Sequence, residues 1–471
     1  MILMIYLFSL VSLDSILNQA DLGSANYGIY VLNLSNDSVV YARFSQKLLI
    51  PASNMKIVTS GAGLFFLGPE HRFKTRLGFQ GKIEKDRLKG DLVIIGGGDP
   101  MLELEDLEQF ILALKNRKIK EIEGDIILDD TYFTELSLNG NNFRFERLPV
   151  GWAWHYLDAR YAPEVSALSI NKNCVNVRIE ATRVGDYADV VIEPETEYVK
   201  LINDMRTKEG EDSIIILRRP EANIIYVSGG IGAGHTRNIE VSVKDPALFF
   251  GTCFKERLLK EGIEFKGRLR RAFEPAVQSG PLVILDSIVS EPLLHILHEL
   301  NVESVNLYAE TLLKTLGARY YGEGSFVAGI RMLKRFLAVC GADTGRVSLW
   351  DGSGLSRHNL ISPYQISLVL RYLYLSRYAS AFFELLPSSG EGTLERRFQD
   401  FDGYLRAKTG TLHAVSCLSG YLHINDTDYC FSMLFNNFVR PRKEIERLQE
   451  EIIRALYENL TGDGTELQSK E

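Results

Sequence analysis

The order of element types along the chain predicts a multidomain α/β protein in which one domain is split by a large β-rich insertion. A strand pair and a helix occupy the first 69 residues, short β-type runs fill about residues 70 to 285, and helices and strands return after about residue 290. The length of 471 residues corresponds to roughly two to four domains, enough to bury a sizeable core. With 45% hydrophobic and 24% charged residues, 39 Gly and 14 Pro, the composition excludes disordered, collagen-like and polytopic membrane classes. The balance of 53 Lys+Arg against 61 Asp+Glu gives −8, which argues against nucleic acid as the main partner.

The opening run Met1–Leu13 is apolar apart from Ser9 and Ser12. It is shorter than the roughly 20 residues of a membrane-spanning helix but fits the apolar part of a secretory signal. No Lys or Arg precedes it and no A-x-A site follows, so a signal segment and a buried N-terminal helix are both open readings. Nothing else in the chain is long and apolar enough to span a bilayer.

Next, Gly28–Leu34 and Val39–Arg43 flank the turn signal Ser35-Asn36-Asp37-Ser38 and predict a hairpin. Pro51-Ala52-Ser53 leads into an apolar helix from Asn54 that Gly68-Pro69 stops. The middle block carries strand-like runs at residues 91–95, 125–128, 175–179, 213–217 and 223–227, and one helix from about Pro246 to Glu261, closed by Gly262. Afterwards helices are expected at 291–300 and 304–316, and from Ser362-Pro363-Tyr364-Gln365, a capping box with Pro at the first helical position. Strands follow at 404–407, 415–423 and 429–435, then a helix from Arg442 to Leu460 with Ile445, Leu448, Ile452, Leu456 and Leu460 on one side. The two ends of the chain are therefore expected to share one sheet. The division this implies is a signal or N-terminal segment at 1–13, a main domain of 14–69 plus 286–460, an inserted domain of 70–171 plus 241–285, a second β-rich domain of 172–240 nested inside it, and a flexible tail at 461–471.

Five cysteines without a CxxC pair indicate neither a zinc ribbon nor a disulfide framework. His298-Glu299-Leu300-Asn301-Val302 misses the HExxH pattern at its last residue, and no metal or cofactor is implied. The glycines at 230, 232 and 234 break the dinucleotide-binding spacing, so that segment reads as a turn. Trp152, Trp154, Tyr156 and Tyr161 fit a core cluster better than a groove lining.

Three short patterns carry chemistry. Ser53-Asn54-Met55-Lys56 stands at a helix start, where i, i+3 spacing puts a hydroxyl and an amine on one face. An ammonium cannot accept a proton, so a base role requires Lys56 to be held neutral by burial or a neighbouring positive charge. Ser304-Val305-Asn306 lies at a junction between helices and also suits a helix cap. Lys408-Thr409-Gly410-Thr411 ends a short strand, where Lys and Thr can hold a carboxylate and Gly lets a peptide lie alongside as an added strand. Ser169-Ile170-Asn171-Lys172 and Ser137-Leu138-Asn139 match single patterns too, so each pattern alone is weak and the ordered set is what is specific.

Those three motifs, in that order, resemble the serine Ser-x-x-Lys superfamily of penicillin-binding proteins and β-lactamases. About 250 residues between the first two and about 100 to the third are too many for a β-lactamase. The spacing is similar to that of the D-alanyl-D-alanine carboxypeptidase/endopeptidase family, the class C low-molecular-mass penicillin-binding proteins. Residues Pro51–Lys56, Gly90–Pro100, Asp351–Asn359, Gly392–Leu394 and Ala407–Leu412 fit that family, while Val302 and Val305 depart from its usual Lys and Asp or Asn.

The resemblance implies a β-lactamase/transpeptidase-like domain, an antiparallel sheet with flanking helices plus an all-α part, and an acyl-enzyme on Ser53. It implies Lys56 as base, Ser304 as proton carrier, Asn306 as amide ligand, and Lys408, Thr409, Gly410 and Thr411 as the substrate-binding strand. The implied partners are peptidoglycan stem peptides and inhibitory β-lactams, in an extracytoplasmic setting, periplasmic or secreted, which favours the signal reading of Met1–Leu13. Rival readings are a non-catalytic peptidoglycan-binding sensor or scaffold with the same fold, and a β-lactamase or esterase of the same superfamily.

Overall fold

The structure is a computed structural model that describes residues 12–461, except positions 135, 140–141, 279, 400 and 402, with backbone alone described at 136–139 and 142–145. The apolar start, up to residue 11, and the tail from 462 lie outside the described residues. Two compact units divide the chain: one of Met1–Gly68, Leu297–Val305 and Ile330–Glu471, the other of Pro69–Ile296 and Asn306–Gly329.

The first unit is built on a five-stranded antiparallel sheet in the order Tyr404–Leu412, Val415–Ile424, Thr427–Asn436, Asn26–Asn33, Val39–Arg43. The N-terminal hairpin and the C-terminal strands thus form one sheet, with Asn26 opposite Asn436 and Asn33 opposite Tyr429. Asn26–Asn33 and Val415–Ile424 are buried on both faces, which explains their unbroken apolar runs. One face is covered by the helix Arg442–Thr461, whose Ile445, Leu448, Ile452 and Leu456 are buried beside Phe431, Met433 and Phe435. The helix Met55–Leu67 is apolar almost all round and buried accordingly. Its Gly61 has no room for a side chain, since a Cβ there would stand 2.9 Å from both Leu373 and Phe336. Leu373 belongs to the helix Pro363–Tyr374, where the Ser362/Gln365 capping box forms as the sequence predicts.

The second unit is mainly β. Lys74–Glu84 and Arg87–Ile95 form a hairpin, Val283–Val289 pairs with the first of these and Ile126–Asp129 runs parallel to the second. Two three-stranded sheets occupy the middle, one around Cys174–Glu180 and one around Ile224–Gly232. The helix Pro246–Lys260 buries Phe249, Phe250 and Phe254, and its N-terminus is capped by the Asp245 carboxylate accepting from the Leu248 N–H.

The boundaries of these units differ from the expected main domain of 14–69 plus 286–460 at Pro69, at 286–296 and at 306–329. Val283–Val289 pairs with Lys74–Glu84, and residues up to Ile296 belong to the second unit. The helix Asn306–Tyr321 belongs there as well, because Lys314 on it is buried against the Thr134 and Glu146 carbonyls. The aromatic group also departs from expectation: Trp154 is 77% exposed, in a short turn Trp154–Tyr156 that buries none of its residues, and Tyr161 is 44% exposed.

Candidate active site

Ser53 lies in a single 3-10 turn, Ala52–Asn54, that feeds directly into the helix Met55–Leu67. Ser53 is partly exposed, whereas Lys56 one turn on is fully buried. Lys56 Nζ donates to Ser53 Oγ at 2.9 Å and to the Ser353 carbonyl at 3.0 Å. The same separation serves in either direction: an ammonium donates to the hydroxyl oxygen, and a neutral amine accepts the hydroxyl proton. The competing Ser169-x-x-Lys172 has no such geometry. Lys172 sits at φ 53°, outside a helix, and Ser169 Oγ donates to the Ser166 carbonyl.

The Ser353 carbonyl is fixed by a buried loop. Asp351 Oδ1 accepts from the Gly354 N–H at 2.8 Å and from Asn359 Nδ2 at 2.6 Å, and Oδ2 accepts from the Ser356 N–H at 2.6 Å. Thr59 Oγ1 donates to the neighbouring Gly352 carbonyl at 2.6 Å, tying the loop to the nucleophile helix. Gly354 must be glycine: at φ +87° a Cβ would stand 1.8 Å from the Ala52 carbonyl oxygen. Ala52 itself takes φ 45°, a left-handed conformation unusual for alanine and placed next to the nucleophile.

Lys408, Thr409, Gly410 and Thr411 lie within the edge strand Tyr404–Leu412, opposite Ser419, Leu418, Cys417 and Ser416. Among the described residues the outer edge is covered at Ala407, whose N–H donates to the Pro387 carbonyl, and no further strand pairs with it beyond that point. A Cβ at Gly410 would lie 2.8 Å from the Pro51 carbonyl, so strand and nucleophile turn approach backbone to backbone. Asn54 clamps them: its Nδ2 donates to the Lys408 carbonyl at 2.8 Å, and its Oδ1 accepts from Ser419 Oγ at 2.6 Å. Burial, reinforced by the charge of Lys56, holds the Lys408 amine well below the usual lysine range, with Glu303 acting in the opposite direction.

Ser304 sits at φ 58°, a strained loop position for a serine, just after the helix Leu293–Val302. Asn301 on that helix donates from Nδ2 to Ser60 Oγ at 3.2 Å, which anchors the segment to the nucleophile helix. Asn306 opens the helix Asn306–Tyr321 of the second unit, and its Nδ2 donates to the Tyr161 carbonyl at 2.7 Å. The structure thus holds Ser53, Lys56, the Lys408 strand and Ser304 in one unit, and places Asn306 at the first residue of the second segment of the other. Asn54, Asp351 and Gly354 are positioning residues that lie within the motif segments but have no catalytic task assigned by the motifs. The Asp351-Gly-Ser-Gly354 turn is a local sequence signal for the last two, whereas Asn54 acts through distant partners.

A family model described as the D-Ala-D-Ala carboxypeptidase 3 (S13) family matches residues 10–456. The D-alanyl-D-alanine carboxypeptidase of an Actinomadura species is 30% identical over 446 residues, covering 91% of this chain and 81% of that protein. The D-alanyl-D-alanine carboxypeptidase DacB of Haemophilus influenzae is 26% identical, with 84% and 82% covered. The crystal structure of penicillin-binding protein 4 (dacB) from Haemophilus influenzae superposes with a TM-score of 0.82 at 23% identity, covering 95% of this chain and 99% of that one, and the same protein has been solved complexed with a β-lactam. The expected transpeptidase-like fold with a large insertion and the expected family are both borne out: the chain belongs to the D-Ala-D-Ala carboxypeptidase 3 (S13) family and is a serine-type hydrolase of that class.

Proposed function

We propose that the chain hydrolyses D-Ala-D-Ala-terminated peptidoglycan stem peptides, or their D-centred cross-links, through an acyl-enzyme on Ser53. The observation that carries the residue assignment is the 2.9 Å contact between Ser53 Oγ and the buried Lys56 Nζ. The Ser53 oxygen adds to the scissile carbonyl as its proton passes to the Lys56 amine. The backbone N–H groups of Ser53 and Thr411 take up the oxyanion, and Asn306 orients the substrate amide. Collapse breaks the C–N bond, with Ser304 relaying a proton to the leaving amine. Water then hydrolyses the ester.

Lys408 and Thr409 bind the terminal carboxylate, and Gly410 lets the peptide lie against the open strand edge. A buried amine held below its normal range gains a proton when a carboxylate arrives beside it, so the substrate carboxylate adds to the influence of Glu303 in favour of a charged Lys408. β-Lactams acylate the same hydroxyl. The setting that fits this substrate is extracytoplasmic, periplasmic or secreted, and among the described residues no helix is long and apolar enough to cross a membrane. In this reading the inserted 70–171 plus 241–285 and the nested 172–240 serve the main domain, with Met1–Leu13 as its signal segment.

D-Alanine release from a D-Ala-D-Ala-ended pentapeptide is the test. Release by the wild type and none by Ser53→Ala is the expected result, and equal release by both overturns the assignment. No release by the wild type, with the peptide still bound, would favour the sensor reading. Fast β-lactam turnover with an inert peptide would favour the β-lactamase one.

A further inference from the structure

In the second unit, Arg72, Lys74 and Arg76 alternate with the buried Phe73, Thr75 and Leu77, so three basic side chains share the exposed face of one extended segment. They border a cleft of about 510 Å³ that is also lined by His71, Tyr132 and an apolar wall including Ile95 and Val277. Arg319 adds a fourth strong cation, close enough to act electrostatically on His71, whose pKa burial and Arg319 both lower, and on Tyr132, whose pKa burial raises while Arg319 opposes the rise.

The charges on this face are uncompensated. Among the described residues Lys74, Arg76 and Arg319 make no ion pair, while Arg270 and Arg271 in the same unit are paired with Asp125 and Asp130. Arg72 is held by one bond, from Nη1 to the Ser290 carbonyl at 2.6 Å. Among the described residues the one carboxylate lining the cleft is already committed: Asp129 Oδ1 accepts from the Thr131 N–H and hydroxyl, and Oδ2 from the Ala276 N–H. A protein with a net charge of −8 that gathers unpaired cations here has built a local anion-attracting field. The floor is closely packed, since a Cβ at Gly97 would stand 2.1 Å from the Lys74 carbonyl.

We propose that this cleft is a second binding site, for an extended acidic peptide. The occupant follows from spacing: alternate residues of an extended segment repeat every ~6.6 to 6.8 Å, so carboxylates on one face of an extended peptide match the ladder of Arg72, Lys74 and Arg76. Guanidinium groups take carboxylates in bidentate fashion, and the apolar wall receives the peptide's methylene groups. The site is independent of the acyl-transfer reading, because it involves neither Ser53 nor the Lys408 strand.

The probe is fluorescein-labelled hexaglutamate, titrated by anisotropy into wild type and into Ser53→Ala, with labelled hexaglutamine as the neutral control. Both proteins are expected to bind hexaglutamate, more weakly as salt rises, and hexaglutamine at least about tenfold less tightly. The Lys74→Gln/Arg76→Gln variant is expected to lose about tenfold or more in affinity, and Arg319→Gln several-fold, with unchanged melting temperatures. Neutralising Lys443 and Arg447, exposed on the C-terminal helix, should change affinity less than about twofold. Equal binding of the two peptides, or unchanged affinity in both cleft variants, overturns the proposal. Binding of inorganic tripolyphosphate without binding of hexaglutamate overturns it in favour of a phosphate polymer.

Discussion

Two buried lysines, one in each unit, have opposite surroundings. Lys314 lies on the helix Asn306–Tyr321 with Nζ donating to the Thr134 and Glu146 carbonyls and standing 4.7 Å above the Phe326 ring. Burial and Arg147 push its pKa down, Glu146, Asp130 and Glu310 push it back up, and it settles at about 8. Lys408 is equally buried, but its nearest strong influence is another lysine, Lys56, and it is pushed well below the usual range. A buried amine surrounded by carboxylates and carbonyls is a structural tie. Lys408 has one carbonyl, that of Thr409, and one opposing carboxylate, Glu303, against burial and a second amine, so an arriving anion shifts it further toward the charged form.

The contrast can be broken most severely at Lys56. Replacing it with Met removes the base, and penicillin acylation should slow by about 10²- to 10⁴-fold, whereas Lys314→Met should leave the acylation rate within a few-fold. Stopped-flow acylation with a fluorescent penicillin measures both, and comparable losses would erase the distinction between the two amines.

The next largest effect is expected at Gly354→Ala. The added methyl meets the Ala52 carbonyl at 1.8 Å, so either the Asp351 loop or the nucleophile turn must move. A strained backbone plus displaced contacts costs about 2 to 4 kcal/mol, and acylation should fall with it. Urea unfolding reads the first and acylation the second. A variant with wild-type values in both would show that the loop does not hold Ser353 in place.

The pH dependence of stability sharpens the same comparison. Lys314 titrates at about 8 when folded and near its ordinary 10.5 when unfolded, so between those values the unfolded chain binds the extra proton. Stability therefore climbs as pH rises from about 8 to about 10.5 and is flat in this group below about 8, with a span of up to about 3 kcal/mol. Lys314→Met should remove that slope. Lys408→Met should remove a slope of the same sign, because its folded value is depressed as well. Urea midpoints from pH 6 to 10.5 check both, and a slope of opposite sign would contradict the burial argument.

The smallest effect is expected at Asp99, whose carboxyl burial raises to about 6. Between its unfolded value near 3.8 and about 6 the folded state holds the extra proton, so this group's contribution falls as pH rises through that window. Asp99→Asn keeps an oxygen for the Met101 N–H, which Asp99 Oδ1 accepts at 3.0 Å, and should raise stability at pH 7 while changing little below pH 4. Equal shifts at both pH values would exclude the titration as the cause.

What was legible in the sequence follows the same division. The sheet shared by both chain ends could be anticipated because hairpin, apolar helix and three late strands carry strong local signals, and the 362–365 capping box is explicit. Ser53, Lys56 and Lys408 were readable because their chemistry demands fixed residue types at fixed spacing. The role of Asn54 was not, because it depends on the Lys408 carbonyl 354 positions away and on Ser419, contacts that no local pattern encodes. The grouping of Asn306–Gly329 with the second unit was hidden for a similar reason: the partners of Lys314 lie 168 and 180 residues earlier. The exposed Trp154 was misjudged because an aromatic run reads as core until its backbone proves to be a short surface turn.

The central claim, that Ser53 activated by Lys56 is the acylated nucleophile, is tested most directly by peptide mapping of the protein after reaction with benzylpenicillin. One penicilloyl adduct on the peptide containing Ser53, absent in Ser53→Ala and severely slowed in Lys56→Met, is the predicted result. An adduct on any other residue, or one that persists in Ser53→Ala, would contradict it.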